Sequence, residues 1–269
     1  MMRKGGFKLR KSGGVPFYSC PAFERLPWIR HGFSTRHGGA SGICGSSLNL
    51  GDASWDSPER VRENRRRLLS ALGLEEARFI SLHQVHSNRV HIIKDISGQW
   101  NRLEGDALIT RVEKAALAIR IADCVPVLIA DPAHHAVAAV HSGWRGTLSG
   151  ILLRTIREMQ REFDSDPAGL LLAAGPGIRA CCFEVGPEVA VPFKEQYPGC
   201  SLTQPIAGRP EKRSLDLFKA LEAQMDLAGV PPENRYDLGA CTCCNTSEFF
   251  SHRAEGPASG RMMAVIALC

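Results

Sequence analysis

The sequence lacks every feature that would mark a membrane-spanning or repetitive protein. It contains no apolar run near the roughly eighteen residues that a membrane-spanning helix needs. It also shows no internal repeat, no low-complexity segment and no linker. With 269 residues, 44% of them hydrophobic and 23% charged, the composition is typical of a globular chain. One large domain with a sizeable core is therefore predicted.

Acidic residues are absent from the first fourteen positions. Five basic residues fall there, so this segment accounts for the whole net charge of +5: Arg3, Lys4, Lys8, Arg10 and Lys11. The segment lacks the apolar centre of a secretory signal, which favours a cytoplasmic protein. We predict a basic, disordered tail over residues 1–14 and one catalytic domain over residues 15–269. Nucleic-acid and membrane partners are not expected, and the oligomeric state stays open.

Regular cysteine spacing is missing although ten cysteines are present. The adjacent pairs Cys181-Cys182 and Cys243-Cys244 can hardly form internal disulfides, so free thiols of a reducing compartment are predicted. Cys241, Cys243 and Cys244 have a spacing similar to that of metal ligands. They have no evident second Cys or His pair in the sequence, and incidental thiols are the simpler interpretation.

Nucleotide-binding signatures are also missing. Residues 36–42 form a Gly-rich loop in which Arg36 and backbone N–H groups can hold an anion, but the loop is neither a Walker A nor a GxGxxG motif. On spacing alone a plain surface loop explains it equally well. The H-x-E…P-C-x-x-C arrangement of nucleobase deaminases does not occur either.

The central stretch of the chain runs from Ile121 to Gly146. Two runs rich in Val, Ile and Ala flank a turn-type cluster, which predicts an antiparallel hairpin. With Pro132 and Ala133 as the turn, Cys124 would lie directly opposite His141 on the same sheet face. The segment 79–86 is predicted as a strand, so that His83 and His86 would point to opposite faces.

Helices are predicted after Ser57, over Thr147–Phe163, over Pro187–Tyr197 and after Ser214, from capping residues and apolar spacing. Short strands alternate irregularly with these helices. The resulting fold class is α+β: a single domain with a mixed, largely antiparallel β-sheet core flanked by helices.

Three residues, His86, Cys124 and His141, can ligate a metal ion. A thiolate and imidazoles suit zinc, and three protein ligands leave a coordination position open, as in catalytic sites. Two alternatives remain: a Cys124–His141 nucleophile and base without metal, or a non-catalytic zinc that only clamps the hairpin. Copper is less expected, because the nine histidines include only one adjacent pair and supply no multicopper cluster.

The motifs of this chain resemble those of the YfiH-like family, formerly labelled multicopper polyphenol oxidase (laccase) and described as zinc-dependent purine nucleoside phosphorylases. In chain order they are HGFSTRHGG, SLNLG, HQVHSNRV, GDALIT, ADCVPVLI, AAVHSGWRGTLSGIL, GPGIRACCFEVG and CTCCN…FFSHR…GRMMAVIAL. They extend from His31 to Leu268, nearly the whole chain, and their combination is highly specific.

The resemblance implies one Zn²⁺ per chain on His86, Cys124 and His141. It implies cleavage of adenosine, inosine, guanosine or methylthioadenosine by phosphate, with adenosine deamination as a further activity. A role in peptidoglycan quality control, known for some members, keeps a Cys–His hydrolase or amidase as the alternative. Two positions depart from the family pattern: His252 stands where Tyr is usual, and Ser142 where Ala is commoner.

Further roles are assigned as hypotheses. Asp106 would orient a ligand histidine or assist a proton transfer, as carboxylates behind metal ligands do. Arg36 in its Gly-rich loop, Asn49 in SLNLG, and Arg145 near a helix start would bind the phosphate or the hydroxyl groups of the substrate.

Overall fold

A computed structural model describes residues 2–4, 6–42 and 46–269. The strands in these ranges are β1 Arg3–Lys4, β2 Lys8–Ser12, β3 Val15–Ser19, β4 Ile29–Ser34, β5 His37–Ser41, β6 Arg78–Ile80, β7 Val90–Ile93, β8 Ala107–Thr110, β9 Ala115–Ile121, β10 Val125–Asp131, β11 Ala136–Ser142, β12 Leu171–Ala174, β13 Glu184–Val185, β14 Thr203–Ile206, β15 Arg209–Leu215, β16 Arg235–Asp237 and β17 Met262–Leu268. The helices are α1 Pro21–Glu24, α2 Pro58–Ala71, α3 Trp144–Leu148, α4 Ile151–Phe163, α5 Pro187–Gln196, α6 Leu217–Ala228 and α7 His252–Glu255.

Two sheets form the centre of the fold. One has seven strands in the order β1-β16-β12-β10-β11-β8-β7, and the other has six in the order β2-β3-β4-β17-β9-β6. Most neighbouring pairs are antiparallel, whereas four are parallel: β1 with β16, β12 with β16, β7 with β8, and β6 with β9. The predicted α+β class with a mixed, largely antiparallel core is thereby confirmed.

The two sheets pack face to face, and helices cover both outer faces. Along β10, Leu128 and Ala130 contact the six-stranded sheet, while Val125, Val127 and Ile129 pack with α4, α5 and α6. Helix α2 covers the outer face of the six-stranded sheet. A strand buried on both faces needs apolar residues at every position. This explains why β10 and β11 appear in the sequence as continuous apolar runs. No helix in the described ranges is long and apolar enough to cross a membrane.

The basic segment before residue 14 differs from the disordered tail that the sequence predicts. Strand β1 pairs with β16, and β2 pairs antiparallel with β3; Met1 and Gly5 lie outside the described residues. The side chains of β2 are all exposed, so no apolar alternation marks the strand. Main-chain pairing and the contacts of Lys8 and Arg10 with Glu24 hold it instead.

The helices follow the prediction with two differences. The helix over 147–163 is split into α3 and α4 because Gly150 adopts a left-handed φ of 76° between them. The last long helix is capped by Asp216 rather than Ser214, since the Asp216 carboxylate accepts hydrogen bonds from the N–H groups of Phe218 and Lys219. Helix α2 begins as predicted, with Ser57 as its N-cap.

Candidate metal centre

Cys124 lies where the chain passes from one sheet to the other. Residues 122–124 form a bend between β9 of the six-stranded sheet and β10 of the seven-stranded sheet. Asp123 takes a left-handed φ of 86° there. Its carboxylate accepts hydrogen bonds from Thr242 Oγ1 (2.7 Å), Ser251 Oγ (2.7 Å) and the Arg253 N–H (2.6 Å). The bend that orients the Cys124 thiol is therefore fixed from three sides.

His141 is held at the end of β11 by a buried carboxylate. Its Nδ1 lies 2.8 Å from Asp106 Oδ1, and Asp106 is fully buried. Burial opposes ionisation of Asp106, but hydrogen bonds from His141 and Ser87 outweigh it and lower the pKa of the carboxyl. A carboxylate can only accept, so Nδ1 carries the hydrogen and Nε2 is left to bind a metal ion.

His86 reaches the same place from an irregular segment. Its φ of 59° is left-handed, and its backbone N–H donates to Asp106 Oδ1 at 3.0 Å. The other Asp106 oxygen accepts from the Ser87 N–H at 2.6 Å and from Ser87 Oγ at 2.7 Å. One buried carboxylate therefore positions two of the three candidate ligands.

The three side chains form one group. Their ligand atoms lie within 4.8 Å of one another. The Cys124 Sγ to His86 Nδ1 distance is 4.0 Å, and the two imidazole rings have centroids 4.9 Å apart at 63°. Gly143 closes in beside them: a Cβ there would lie 2.5 Å from His86 Nδ1 and 3.0 Å from Cys124 Sγ. A thiol, two imidazoles and a glycine that leaves room for them fit a zinc ion well.

The electrostatics of the group favour a thiolate. Burial raises the pKa of Cys124, but His141 and His86 outweigh that effect and lower it to about 6. Burial likewise disfavours a charged His141, but Cys124 and Asp106 together raise its pKa to about 9. The thiol is therefore already disposed to ionise, which is the form that binds metal.

Two geometric predictions about this group are wrong in detail. The hairpin pairs Asp131 with Ala136 and Pro126 with His141, so the partner of each residue lies two positions away from the predicted one and Cys124 lies beyond the ladder. The loop has four residues, Pro132–His135, with His135 at a left-handed φ of 46°. Cys124 still reaches His141 because the bend at Asp123 turns the thiol toward the end of β11.

The second difference concerns residues 79–86. The strand there, β6, ends at Ile80, so the argument from alternating faces does not apply to the two histidines. His83 is exposed and its N–H donates to Leu103 O at 2.9 Å, whereas His86 enters the metal group. Because the backbone of His86 has a left-handed φ, the side chains of His83 and His86 point to different places.

Three predicted substrate-binding residues do not line the cavity at the metal group. Arg36 pairs with Glu255 at 2.8 Å and stacks on Phe250, and Asn49 is buried, donating to Gly51 O and Asp56 Oδ2. Arg145 is exposed and stacks on Trp144 with its guanidinium 4.3 Å from the ring centroid. Arg36 and Asn49 instead stabilise the loops around residues 46–51 and 246–255. Most of the Gly-rich segment forms strand β5, and spacing alone does not show that its arginine contacts another loop rather than a ligand.

A cavity of about 310 Å³ opens onto the metal group. Its lining residues come from several distant segments: Gly51, Asp52, Gln84, His86, Arg120, Ala122, Cys124, His141, His252 and Arg261. Arg120, Arg261 and His252 supply positive or titratable groups, and sequence reasoning missed the two arginines. Arg120 follows the apolar run of β9 and Arg261 directly precedes β17, so only the pairing of these strands brings them together.

The comparisons with known proteins agree with this architecture. A family model described as "Multi-copper polyphenol oxidoreductase laccase" matches residues 30–269. A purine nucleoside phosphorylase of Deinococcus radiodurans is 38% identical over 256 residues, covering 95% of this chain and 94% of that protein. Adenosine deaminase RL5, from an unknown prokaryotic organism, is 36% identical and covers 85% of this chain and 90% of its own length.

Similarity to a solved structure extends over the same length. The crystal structure of the hypothetical protein YfiH from Bacillus licheniformis matches with a TM-score of 0.87 and 29% identity, covering 98% of this chain and 99% of that one. Sequence and fold agree over nearly the whole chain, which therefore belongs to the YfiH-like family, the family whose model is described as a polyphenol oxidoreductase laccase.

Proposed function

We propose that this chain is a zinc-dependent purine nucleoside phosphorylase that cleaves adenosine, inosine, guanosine or methylthioadenosine with phosphate, and that it also deaminates adenosine. The observation that carries the proposal is the cavity that the His86–Cys124–His141 group and two arginines line together. The names of the Deinococcus relative and of RL5 support the choice of purine nucleosides.

Zinc is the metal that suits this donor set. One thiolate and two imidazoles supply three ligands, and the cavity gives access to a fourth position. A blue-copper site would use a similar set with a long axial Met or Gln ligand. The residues described as lining the cavity include no Met, and the amide of Gln84 is bound at both its atoms to the Arg120 backbone. When bound there, zinc would supply a Lewis acid that polarises substrate or water.

Arg120 and Arg261 are the proposed phosphate ligands. Arg120 Nη1 pairs with Asp52 at 3.2 Å, and the Asp52 side chain is 81% exposed, so phosphate can take its place at little cost. Arg261 Nη1 donates to the Ser259 and Gly260 carbonyls, each at 2.9 Å, which fixes the guanidinium at the cavity wall. Guanidinium groups bind phosphate oxygens through charge-assisted hydrogen bonds.

Gln84 stiffens this wall. Its Nε2 donates to the Arg120 carbonyl at 2.8 Å, and its Oε1 accepts from the Arg120 N–H at 2.7 Å. The paired bonds extend β9 sideways and hold the segment before His86 against Arg120. The phosphate ligand and the metal ligand are thereby kept at a fixed separation, as positioning of reactants requires.

In the proposed reaction a phosphate oxygen forms a bond to the ribose C1′ while the bond from C1′ to the purine nitrogen breaks. The purine leaves with the bonding electrons and takes up a proton. His252, on the cavity wall at the start of α7, is placed to donate that proton or a hydrogen bond. Asp106 acts behind His141, by keeping Nδ1 protonated and Nε2 turned toward the metal position.

One observation favours a second candidate, a Cys–His hydrolase or amidase acting on peptidoglycan precursors. The pKa of Cys124 is lowered to about 6 beside His141, which is how a cysteine nucleophile is activated. A thiol with a lowered pKa also suits a metal ligand, so only a measurement of the reaction that the protein catalyses can distinguish the two functions.

The deciding experiment is base release from adenosine and inosine with and without phosphate, on protein stripped with a chelator and then reloaded with zinc. Ribose-1-phosphate formation that needs both phosphate and zinc supports the proposal. Base release that persists in the chelated protein and ignores phosphate would contradict the phosphorylase. Absence of base release in every arm, together with cleavage of a peptidoglycan precursor by the chelated protein, would favour the hydrolase. Cys269→Ser, which removes an exposed thiol elsewhere, is the matched control for Cys124→Ser.

A further inference from the structure

A second cluster of potential metal ligands lies outside the catalytic cavity. It consists of Cys181, Cys182, Cys241 and Cys244, whose sulfur atoms all lie within 4.8 Å of one another. The sequence suggested no partner pair for Cys241 and Cys244. The fold supplies one, because β12 and β16 run parallel and the segments that follow them leave the same edge of the sheet.

The sulfur positions suit one tetrahedral ion. Cys244 Sγ lies 3.5 Å from Cys181 Sγ and 3.3 Å from Cys182 Sγ. Four thiolates around zinc, each at about 2.3 Å, lie about 3.8 Å from one another, whereas a disulfide would bring two sulfurs to about 2.05 Å. The observed spacing is much nearer to that of a coordination sphere.

Sequence adjacency does not prevent Cys181 and Cys182 from sharing an ion. In an extended strand their side chains would point to opposite faces. They lie in a turn instead, where the N–H groups of Cys182 and Phe183 both donate to Arg179 O at 2.9 Å. In this turn the two sulfur atoms lie within 4.8 Å of each other and within 3.5 Å of Cys244 Sγ.

A hydrogen-bond donor and a positive charge lie beside the cluster, while burial raises the pKa of the Cys181 and Cys182 thiols, so a bound ion would have to displace their protons. The Arg179 N–H donates to Cys241 Sγ at 3.4 Å, the kind of hydrogen bond that stabilises a coordinated sulfur. Arg253 Nη1 donates to the carbonyl of Cys182 at 3.1 Å and brings a positive charge beside the cluster. Of the nine cysteines in the described ranges, all of them free thiols, four thus converge at one partly exposed point.

We propose that Cys181, Cys182, Cys241 and Cys244 bind a second Zn²⁺ ion. Four protein ligands close the coordination sphere, so the ion is structural rather than catalytic. The inference does not depend on the proposed reaction, because it uses none of the residues of the catalytic cavity as ligands.

The second ion would stabilise the support of the first. Thr242 lies between the proposed ligands Cys241 and Cys244, and its hydroxyl donates to the carboxylate of Asp123. On the other segment, Gly177 forms a β-bridge with Cys241, and the N–H of Ile178 donates to Asp123 O at 2.7 Å. Asp123 directly precedes Cys124. A zinc ion in the cysteine cluster therefore ties together the two segments that fix the bend at Cys124.

The experiment is metal analysis of the full chain and its variants, purified anaerobically and loaded with zinc. The wild type should hold two equivalents per chain, and Cys124→Ala should keep one. The double variant Cys241→Ser/Cys244→Ser should also keep one, held more weakly than in the wild type. Cys243→Ser is the matched control: it lies beside Cys244 but outside the group, so it should keep both.

Cobalt substitution gives a second readout that needs only the Cys124→Ala variant. Four thiolates should give a tetrahedral Co²⁺ spectrum with intense sulfur-to-metal charge-transfer bands, and this test stands even if the double variant does not fold. The proposal is overturned if Cys124→Ala binds no metal, if iron replaces zinc in the cluster, or if mass spectrometry finds Cys244 in a disulfide. Loss of an equivalent in Cys243→Ser would also refute the ligand set.

Discussion

Replacing Asp106 by Asn tests the carboxylate that supports the metal group. Asp106 is fully buried and accepts hydrogen bonds from the N–H groups of His86 and Ser87, from Ser87 Oγ and from His141 Nδ1. An Asn amide has one oxygen and one NH₂. In either orientation the NH₂ group faces at least one backbone N–H, so a buried donor loses its acceptor.

The size of the effect follows from these bonds. One unpaired buried donor costs about 1–3 kcal/mol of folding free energy. The loss of the carboxylate also releases His141 to its other tautomer, in which Nε2 carries the hydrogen and cannot bind metal. Loss of such a support typically weakens metal binding 10- to 100-fold, or about 1.4–2.7 kcal/mol.

The assay is competition for zinc against a chromophoric chelator, combined with denaturant unfolding of the metal-free protein. The chain offers a matched control at the other end of the same hairpin. There the buried Asp131 lies 2.8 Å from His134 Nδ1 and also accepts from two backbone N–H groups. Asp131→Asn should lower stability without changing zinc affinity. Unchanged zinc affinity in Asp106→Asn, or an equal loss in both variants, would refute the reasoning.

Three other predictions follow from the same contacts. Gly143→Ala should lower zinc affinity at least about tenfold, because the new Cβ would lie 2.5 Å from His86 Nδ1. Gly169→Ala, whose Cβ would meet no atom within 4 Å, should leave the affinity unchanged. Equal zinc affinities of the two variants in a titration would contradict this prediction. Arg120→Gln should raise the KM for phosphate, measured by steady-state kinetics, about 10- to 100-fold, because a charged hydrogen bond is lost. A larger increase in the variant Arg145→Gln would instead support Arg145, the residue predicted from the sequence, as the phosphate ligand. Burial holds the pKa of His31 at about 4, against 6.5 in the unfolded chain. Stability should therefore fall by about 3 kcal/mol between pH 6.5 and 4 as the unfolded state takes up the proton, and His31→Gln should flatten that slope in unfolding titrations.

The sequence predicted those parts of the fold that have a local signal. Ser57 and Pro58 start α2 as predicted, and the two apolar runs on either side of Pro132 form the predicted antiparallel hairpin. The metal group was also predicted from residue types and from the family resemblance. The hairpin register was not, since Pro132 fits several loop lengths and only the packing of both faces selects one.

What the sequence could not show depends on contacts between distant segments. Arg120 and Arg261 share a cavity only because β9 and β17 pair. Cys182 and Cys244 meet only because β12 and β16 are neighbours. Neither pairing has a signature within a few residues of the side chains it brings together, so spacing along the chain carries no information about either contact.

The metal group occupies places where the chain leaves regular pairing. Cys124 lies in the bend between two sheets and His86 in a segment with left-handed backbone, so the nearby N–H groups have no ladder partner. Buried donors need acceptors, and two carboxylates provide them: Asp106 for the N–H groups of His86 and Ser87, and Asp123 for that of Arg253. Each carboxylate that satisfies the irregular backbone also orients a metal ligand, so backbone stability and ligand geometry depend on the same atoms. A substitution at either aspartate should therefore change folding and metal binding together.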